Sequence, residues 1–161
     1  MTEVQTVPQS SISADAVSGV AQFLGPVVVD LTALGVDGKQ AHWHVRGANF
    51  QAIHELLDTI VDHAHEYADT AAERVVALGL PLDVRIQTVG LKATNPALTA
   101  GFQQSDATIA QIIASIDATL VTVRTAIDEL GELDAPSQDV AIEIARGLEK
   151  DRWFLFAHLA G

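Results

Sequence analysis

Apolar residues recur at helical spacing through most of this chain. Val17, Val20, Ala21, Leu24, Val27, Val28, Leu31 and Leu34 share one broad stripe and predict a helix over residues 11–44. Gly25-Pro26 should loosen or kink it, and Gly47 ends it. A second helix is predicted over 49–78. It has no internal Gly or Pro, opens at Asn49 as an N-cap, and closes at Gly79 with Pro81 just beyond. Residues 79–104 contain Gly79, Pro81, Gly90, Pro96 and Gly101, the signature of a long crossover, with one short helix around 84–93. A third helix follows over 105–130, carrying Ile109, Ile112, Ile113, Ile116, Leu120, Val123 and Ile127 in phase. After a turn from Gly131 to Pro136, a fourth runs over 136–159 with Val140, Ile144, Leu148, Phe154 and Leu155. Strand-like alternation is nearly absent. Four long helices joined by short, long and short connections specify an all-α four-helix bundle, with the crossover between its second and third helices.

Length and composition narrow this picture. At 161 residues the chain forms one domain, 11–161, behind a loose polar arm at 1–10. Hydrophobic content is 48%, high for a soluble protein. The nearest approach to a membrane span, residues 17–36, is interrupted by Gln22, Asp30 and three glycines. The excess apolar surface is therefore expected to be buried in an oligomer. No basic segment precedes an apolar core at the N-terminus, so no signal peptide is read and a cytoplasmic location is expected. The absence of cysteine excludes disulfides, thiolate catalysis and iron–sulfur clusters. Net charge is −12, and Lys39 is the one basic residue in the first forty. Phosphate-backbone binding needs clustered Lys and Arg, so the composition argues against DNA as a partner.

The chemistry lies on the second helix and just ahead of it. His42 is followed by His54, Asp58, Asp69 and Glu73. Imidazole and carboxylate together suit iron, manganese or zinc better than calcium or magnesium. His54 and Asp58 are spaced i, i+4, as are Asp69 and Glu73, and the two pairs lie on nearly one helical stripe. They cannot hold one ion together. Asp58 to Asp69 spans 11 residues, about 16 Å along the axis, against metal–ligand bonds of about 2 Å. Either the chain carries two half-sites, or a second copy completes each one. A two-fold axis near the middle of this helix would set His54/Asp58 of one copy against Asp69/Glu73 of the other and create two equivalent sites. An ordinary solvated face would also carry acids and histidines, but Ile53, Leu57, Val61 and Ala72 lie close to this stripe. The Glu-x-x-His motif of bundle-core di-iron sites is absent, and helices three and four hold only His158.

Two stretches then carry a family resemblance. His42-Trp43-x-Val45-x-Gly47-x-x-Phe50-x-x-x-His54-x-x-x-Asp58 and Asp69-x-x-x-Glu73-Arg74 resemble the Dps proteins, the bacterial miniferritins, and the similarity extends to Asp151-Arg152-Trp153-Phe154. The resemblance implies a hollow dodecamer of four-helix bundles with twelve ferroxidase sites at two-fold interfaces. There Fe²⁺ is oxidised, preferentially by hydrogen peroxide, and stored as ferric mineral, protecting against oxidative stress. It implies that His42, His54 and Asp58 come from one subunit and Asp69 and Glu73 from its mate, with His42 and Glu73 on the tighter iron. It places Trp43 beside the site, where it quenches radicals or packs the interface. Asp139, counting back from Trp153, aligns with an acid of the pores through which iron enters; Asp134 is a second pore candidate, and helix capping explains either equally well. His44 departs from the Asn of many relatives. His63 and His65 add imidazoles to the second helix as candidate extra ligands, with hydrogen-bonded or surface histidine as the plainer reading. The lysine-rich arm of DNA-binding relatives is missing. Two other functions compete: a metal-dependent hydrolase of amides or esters, such as N-acyl amino acids, on the same His/carboxylate site, and a DNA-protecting shell, which the charge disfavours. No Gly-x-Ser-x-Gly elbow supports metal-free hydrolysis.

Overall fold

The computed structural model describes residues 11–159; the predicted arm at 1–10 lies outside the described residues. The elements run α1 Ala14–His44, β1 Val45–Arg46, α2 Phe50–Ala77, α3 Ile86–Lys92, β2 Gln103–Gln104, α4 Ser105–Leu130 and α5 Ala135–Ala157. The bundle and the crossover with its short helix are those expected from the hydrophobic periodicity. α1 begins where Ser13 accepts from the Ala16 N–H at 3.2 Å, satisfying a donor that the first turn cannot. It runs on through Pro26 as one unbroken helix.

The start of α2 differs from expectation. Asn49 does occupy the cap position, but its side chain makes no capping hydrogen bond. It sits instead in the left-handed region at φ 56°, following Gly47 at φ 96°. Asn tolerates that conformation better than most residues, so the pair turns the chain sharply between α1 and α2. The exit from α2 follows the sequence reading: Gly79 takes φ 97°, and its N–H bonds to the Val76 carbonyl at 2.9 Å.

α1 packs most extensively on α2, α4 on α5, and α1 on α4. Leu24, Leu31 and Leu34 of α1, Leu57 of α2, Ile116 of α4 and Leu148 of α5 are completely buried. Each such side chain contributes about 1.5–3 kcal/mol relative to exposure. α1 and α4 are long and apolar enough to cross a membrane by length and composition, and in the bundle that apolarity covers the core between them.

Buried polar groups then fix the connections. Asp30, 1% exposed, accepts from the Thr94 N–H at 2.8 Å and from the Thr94 and Thr122 hydroxyls at 2.7 Å, tying α1 to the crossover and to α4. A buried carboxylate without such partners would be strongly destabilising. The crossover returns to α1 through a contact the periodicity did not reveal. β1 and β2 pair in parallel, Val45 opposite Gln103 and Arg46 opposite Gln104. Two-residue strands are too short to show alternation.

α2 and α5 meet along a thinner seam, closed by polar contacts in antiparallel order. His63 lies across from Asp151, the Tyr67 hydroxyl rests where a side chain on Gly147 would be, and Arg74 reaches Ser137 and Asp134.

Candidate metal centre

The C-terminal turn of α1 and the first turns of α2 bring His42, His54, Asp58 and Lys39 together. The two imidazole rings stack, with centroids 3.6 Å apart and planes 18° from parallel. Each Nδ1 then bonds to the other residue's backbone: His42 Nδ1 to the His54 carbonyl at 2.7 Å, and His54 Nδ1 to the His42 carbonyl at 2.8 Å. A carbonyl only accepts, so each Nδ1 carries the proton and each Nε2 keeps its lone pair. Backbone carbonyls commonly orient metal-ligating histidines in this way. Phe50, one turn before His54, stacks on that ring at 5.2 Å. His42 is buried, whereas His54 and Asp58 are partly exposed.

Asp58 faces the pair, its Oδ1 lying 3.7 Å from His42 Nδ1. The same oxygen accepts from Lys39 Nζ. The Lys39 hydrogen bond, aided by the nearby imidazoles and opposed by desolvation, holds the Asp58 carboxyl below the ordinary carboxylate range. Lys39 was not among the residues expected here. The signal for it was its position three residues before His42, which puts both on one face of α1.

Asp69 and Glu73 lie exposed toward the other end of α2. Among the described residues no three His or carboxylate side chains gather into a metal-holding group within one chain. One chain thus presents an imidazole–carboxylate half-site and, about 16 Å further along α2, a pair of exposed carboxylates.

The remaining candidates fall into distinct places. His63 Nδ1 lies 3.0 Å from both Asp151 oxygens, so it is a hydrogen-bonded seam residue rather than an extra ligand. Burial pushes the Asp151 carboxyl up, and the His63 hydrogen bond only partly offsets this. His65 lies across Gly35 of α1, its Nε2 2.7 Å from where a Cβ would stand. His44 Nδ1 bonds back to the Gln40 carbonyl at 2.8 Å, and its ring tilts against Phe102, which also lies under the Arg46 guanidinium at 3.2 Å. Asp134 is buried and caps α5: it accepts from the Ser137 N–H at 3.0 Å and from Arg74 at 2.7 Å. Burial pushes its carboxyl up, but the bonds from Ser137 and Arg74 outweigh this and hold it low. Its carboxylate is committed to the cap, which removes it as a pore candidate. Asp139 is exposed on the first turns of α5. Trp43, next to His42 in sequence, is 62% exposed.

A four-helix bundle with a long crossover between its second and third long helices defines a ferritin-like protein. The ferritin-like domain model matches residues 28–161. Within that class the chain belongs to the Dps family. It is 31% identical over 152 residues to the DNA protection during starvation protein of Agrobacterium fabrum, covering 94% of each chain. Among solved structures it superposes on Dps from Microbacterium arborescens in the high iron form with a TM-score of 0.91 and 57% identity, covering 95% of this chain and 99% of that one. Dps of Mycobacterium smegmatis superposes with a TM-score of 0.90 at 30% identity, covering all of this chain and 96% of that one.

Proposed function

We propose that this protein is a ferroxidase and iron store, a hollow homododecamer whose catalytic sites lie at two-fold subunit interfaces. His42, His54 and Asp58 of one chain face Asp69 and Glu73 of a second. The observation that carries the reading is the reciprocal His42–His54 lock, which engages both Nδ1 atoms, leaves each Nε2 as the available ligand atom, and sets Asp58 against His42. Rings held only by solvent would carry no such constraint. A second copy supplies what the single chain lacks, since an isologous contact centred on α2 brings the two half-sites together twice.

The substrate is Fe²⁺. Mixed imidazole and carboxylate ligation holds it weakly enough to release Fe³⁺ toward an oxygen-rich mineral surface. Two ferrous ions side by side give one electron each to hydrogen peroxide. The O–O bond breaks, two protons are taken up, and two waters leave, so the single-electron step that makes hydroxyl radical is avoided. Asp139 would line a pore for incoming iron. The net charge of −12 favours cations near the shell and opposes DNA, so no retardation of DNA is expected at physiological salt. The location expected is the cytoplasm.

The test is anaerobic loading with Fe²⁺ followed by peroxide, tracking ferric absorbance and peroxide consumed. Half as many peroxide molecules consumed as iron ions oxidised, with mineral remaining soluble on the assembly, is the expected outcome. Oxidation no faster than in buffer, with iron precipitating, would reject the proposal and bring forward metal-dependent hydrolysis.

A further inference from the structure

Lys39 stands where the proposed centre needs an open carboxylate. Its ammonium bonds Asp58 Oδ1, the same oxygen that faces His42. The side chains of Lys39 and Asp58 are 38% and 45% exposed, so the contact lies at the surface that a second copy would cover rather than in the core. Lys39 and His42 share one face of α1, and Asp58 and His54 share one face of α2. Lys39 and His42 thus both approach Asp58 Oδ1, and His54 stacks on the His42 ring.

We infer that Lys39 is an internal counter-cation that occupies the second metal position and must swing away from Asp58 before a second ion binds. The inference rests on the ferroxidase reading above. Charge balance supports it. The completed interface would hold three carboxylates, Asp58 with the partner's Asp69 and the partner's Glu73. One divalent ion together with the Lys39 ammonium neutralises them. Adding a second divalent ion while the ammonium stays would leave excess positive charge in a partly desolvated site, which is unfavourable. The first ion, on His42 and Glu73, needs no displacement. The second competes with a tethered cation whose effective concentration is high because its stem is anchored on the neighbouring helix. Lys39 thus sets the interval between binding one ferrous ion and assembling the pair that reduces peroxide.

The contact is of the exposed kind, and such pairs contribute modestly. Removing the ammonium should therefore strengthen the second binding step by up to about fivefold. Arginine would do the opposite, because its planar fork engages a carboxylate bidentately and stays charged.

The experiment is calorimetric titration of the assembled protein with Zn²⁺, which carries no redox chemistry, comparing wild type with Lys39→Gln, Lys39→Arg and Asp58→Asn. The expected result is one tight and one weak ion per chain in wild type. Lys39→Gln should strengthen the weak step, and Lys39→Arg should abolish it. Thermal unfolding of the apo variants checks that assembly is intact. Identical isotherms for wild type and both Lys39 variants, with the weak step still lost in Asp58→Asn, would overturn the role of Lys39 and leave the metal centre standing. No binding by wild type at all would overturn the centre itself, and this inference with it.

Discussion

The two ends of α2 carry similar ligand chemistry in opposite states of preparation. At the N-terminal end, His54 and Asp58 are held by α1: the imidazole through a carbonyl and a stacked ring, the carboxylate through an ammonium. At the C-terminal end, Asp69 and Glu73 stand exposed, and only their neighbour Arg74 is anchored, to the first turn of α5. Under the proposed function, the two ends are halves of a site that one chain encodes but does not complete. The half that must fix tautomer and orientation is built within the fold. The half that supplies negative charge needs little orientation and can be delivered by a second copy.

Complementation breaks this comparison most directly. Chains with His42 and His54 changed to Ala, and chains with Asp69→Asn and Glu73→Gln, should each lose ferroxidase activity by about two orders of magnitude or more. Co-assembled in equal amounts, they should recover about one quarter of wild-type activity, since half of the two-fold pairs are mixed and each carries one intact site. Co-expression with two affinity tags and peroxide-driven iron oxidation measures this. No recovery in mixed assemblies would mean that the two ends of α2 do not meet across subunits.

A smaller effect separates the anchored neighbour from the exposed ligands. Asp134→Ala removes the cap of α5 and the partner of Arg74 and should lower stability by about 1–3 kcal/mol in chemical denaturation. Zn²⁺ affinity should fall only slightly, because Glu73 itself makes no contact with that network.

Two carboxylates sharpen the contrast through pH. Asp58 is held below its ordinary range, so its contribution to stability is present above the ordinary carboxylate pKa and is lost as pH falls through its depressed value. Asp151 is raised by burial, so the fold binds its proton more tightly than the unfolded chain does. Its ionisation weakens the fold as pH rises from the ordinary carboxylate pKa through the raised value, and that penalty is relieved on acidification. Asp151→Asn keeps an acceptor for His63 and should flatten the stability profile above the ordinary carboxylate pKa, staying within about 1 kcal/mol of wild type at neutrality. Melting temperatures across that range read it out, and an unchanged profile would show that the Asp151 charge is not penalised. Smallest of all, Ser13→Ala should cost about 1 kcal/mol through its lost cap, with no change in metal binding.

The sequence by itself determined the helices and the spacing of the candidate ligands. A 3.6-residue apolar period is local information, so α1, α2, α4 and α5 were legible to within a few residues, as was the short helix of the crossover. The i, i+4 spacing on α2 and its length likewise dictate two candidate ligand pairs that one ion cannot bridge. Tertiary structure decided everything that depends on which faces meet. The reciprocal His42–His54 bonds need α1 and α2 turned against each other at Gly47 and Asn49; the sequence places that break, but not which faces of the two helices it brings together. The same holds for Lys39 on Asp58, His63 on Asp151 and Asp134 as the cap that receives Arg74: each partner is at least 19 residues away. A side chain's type is written in the sequence, but its partner is chosen by packing, because hydrogen bonds and ion pairs form only between groups that the core has already brought within reach.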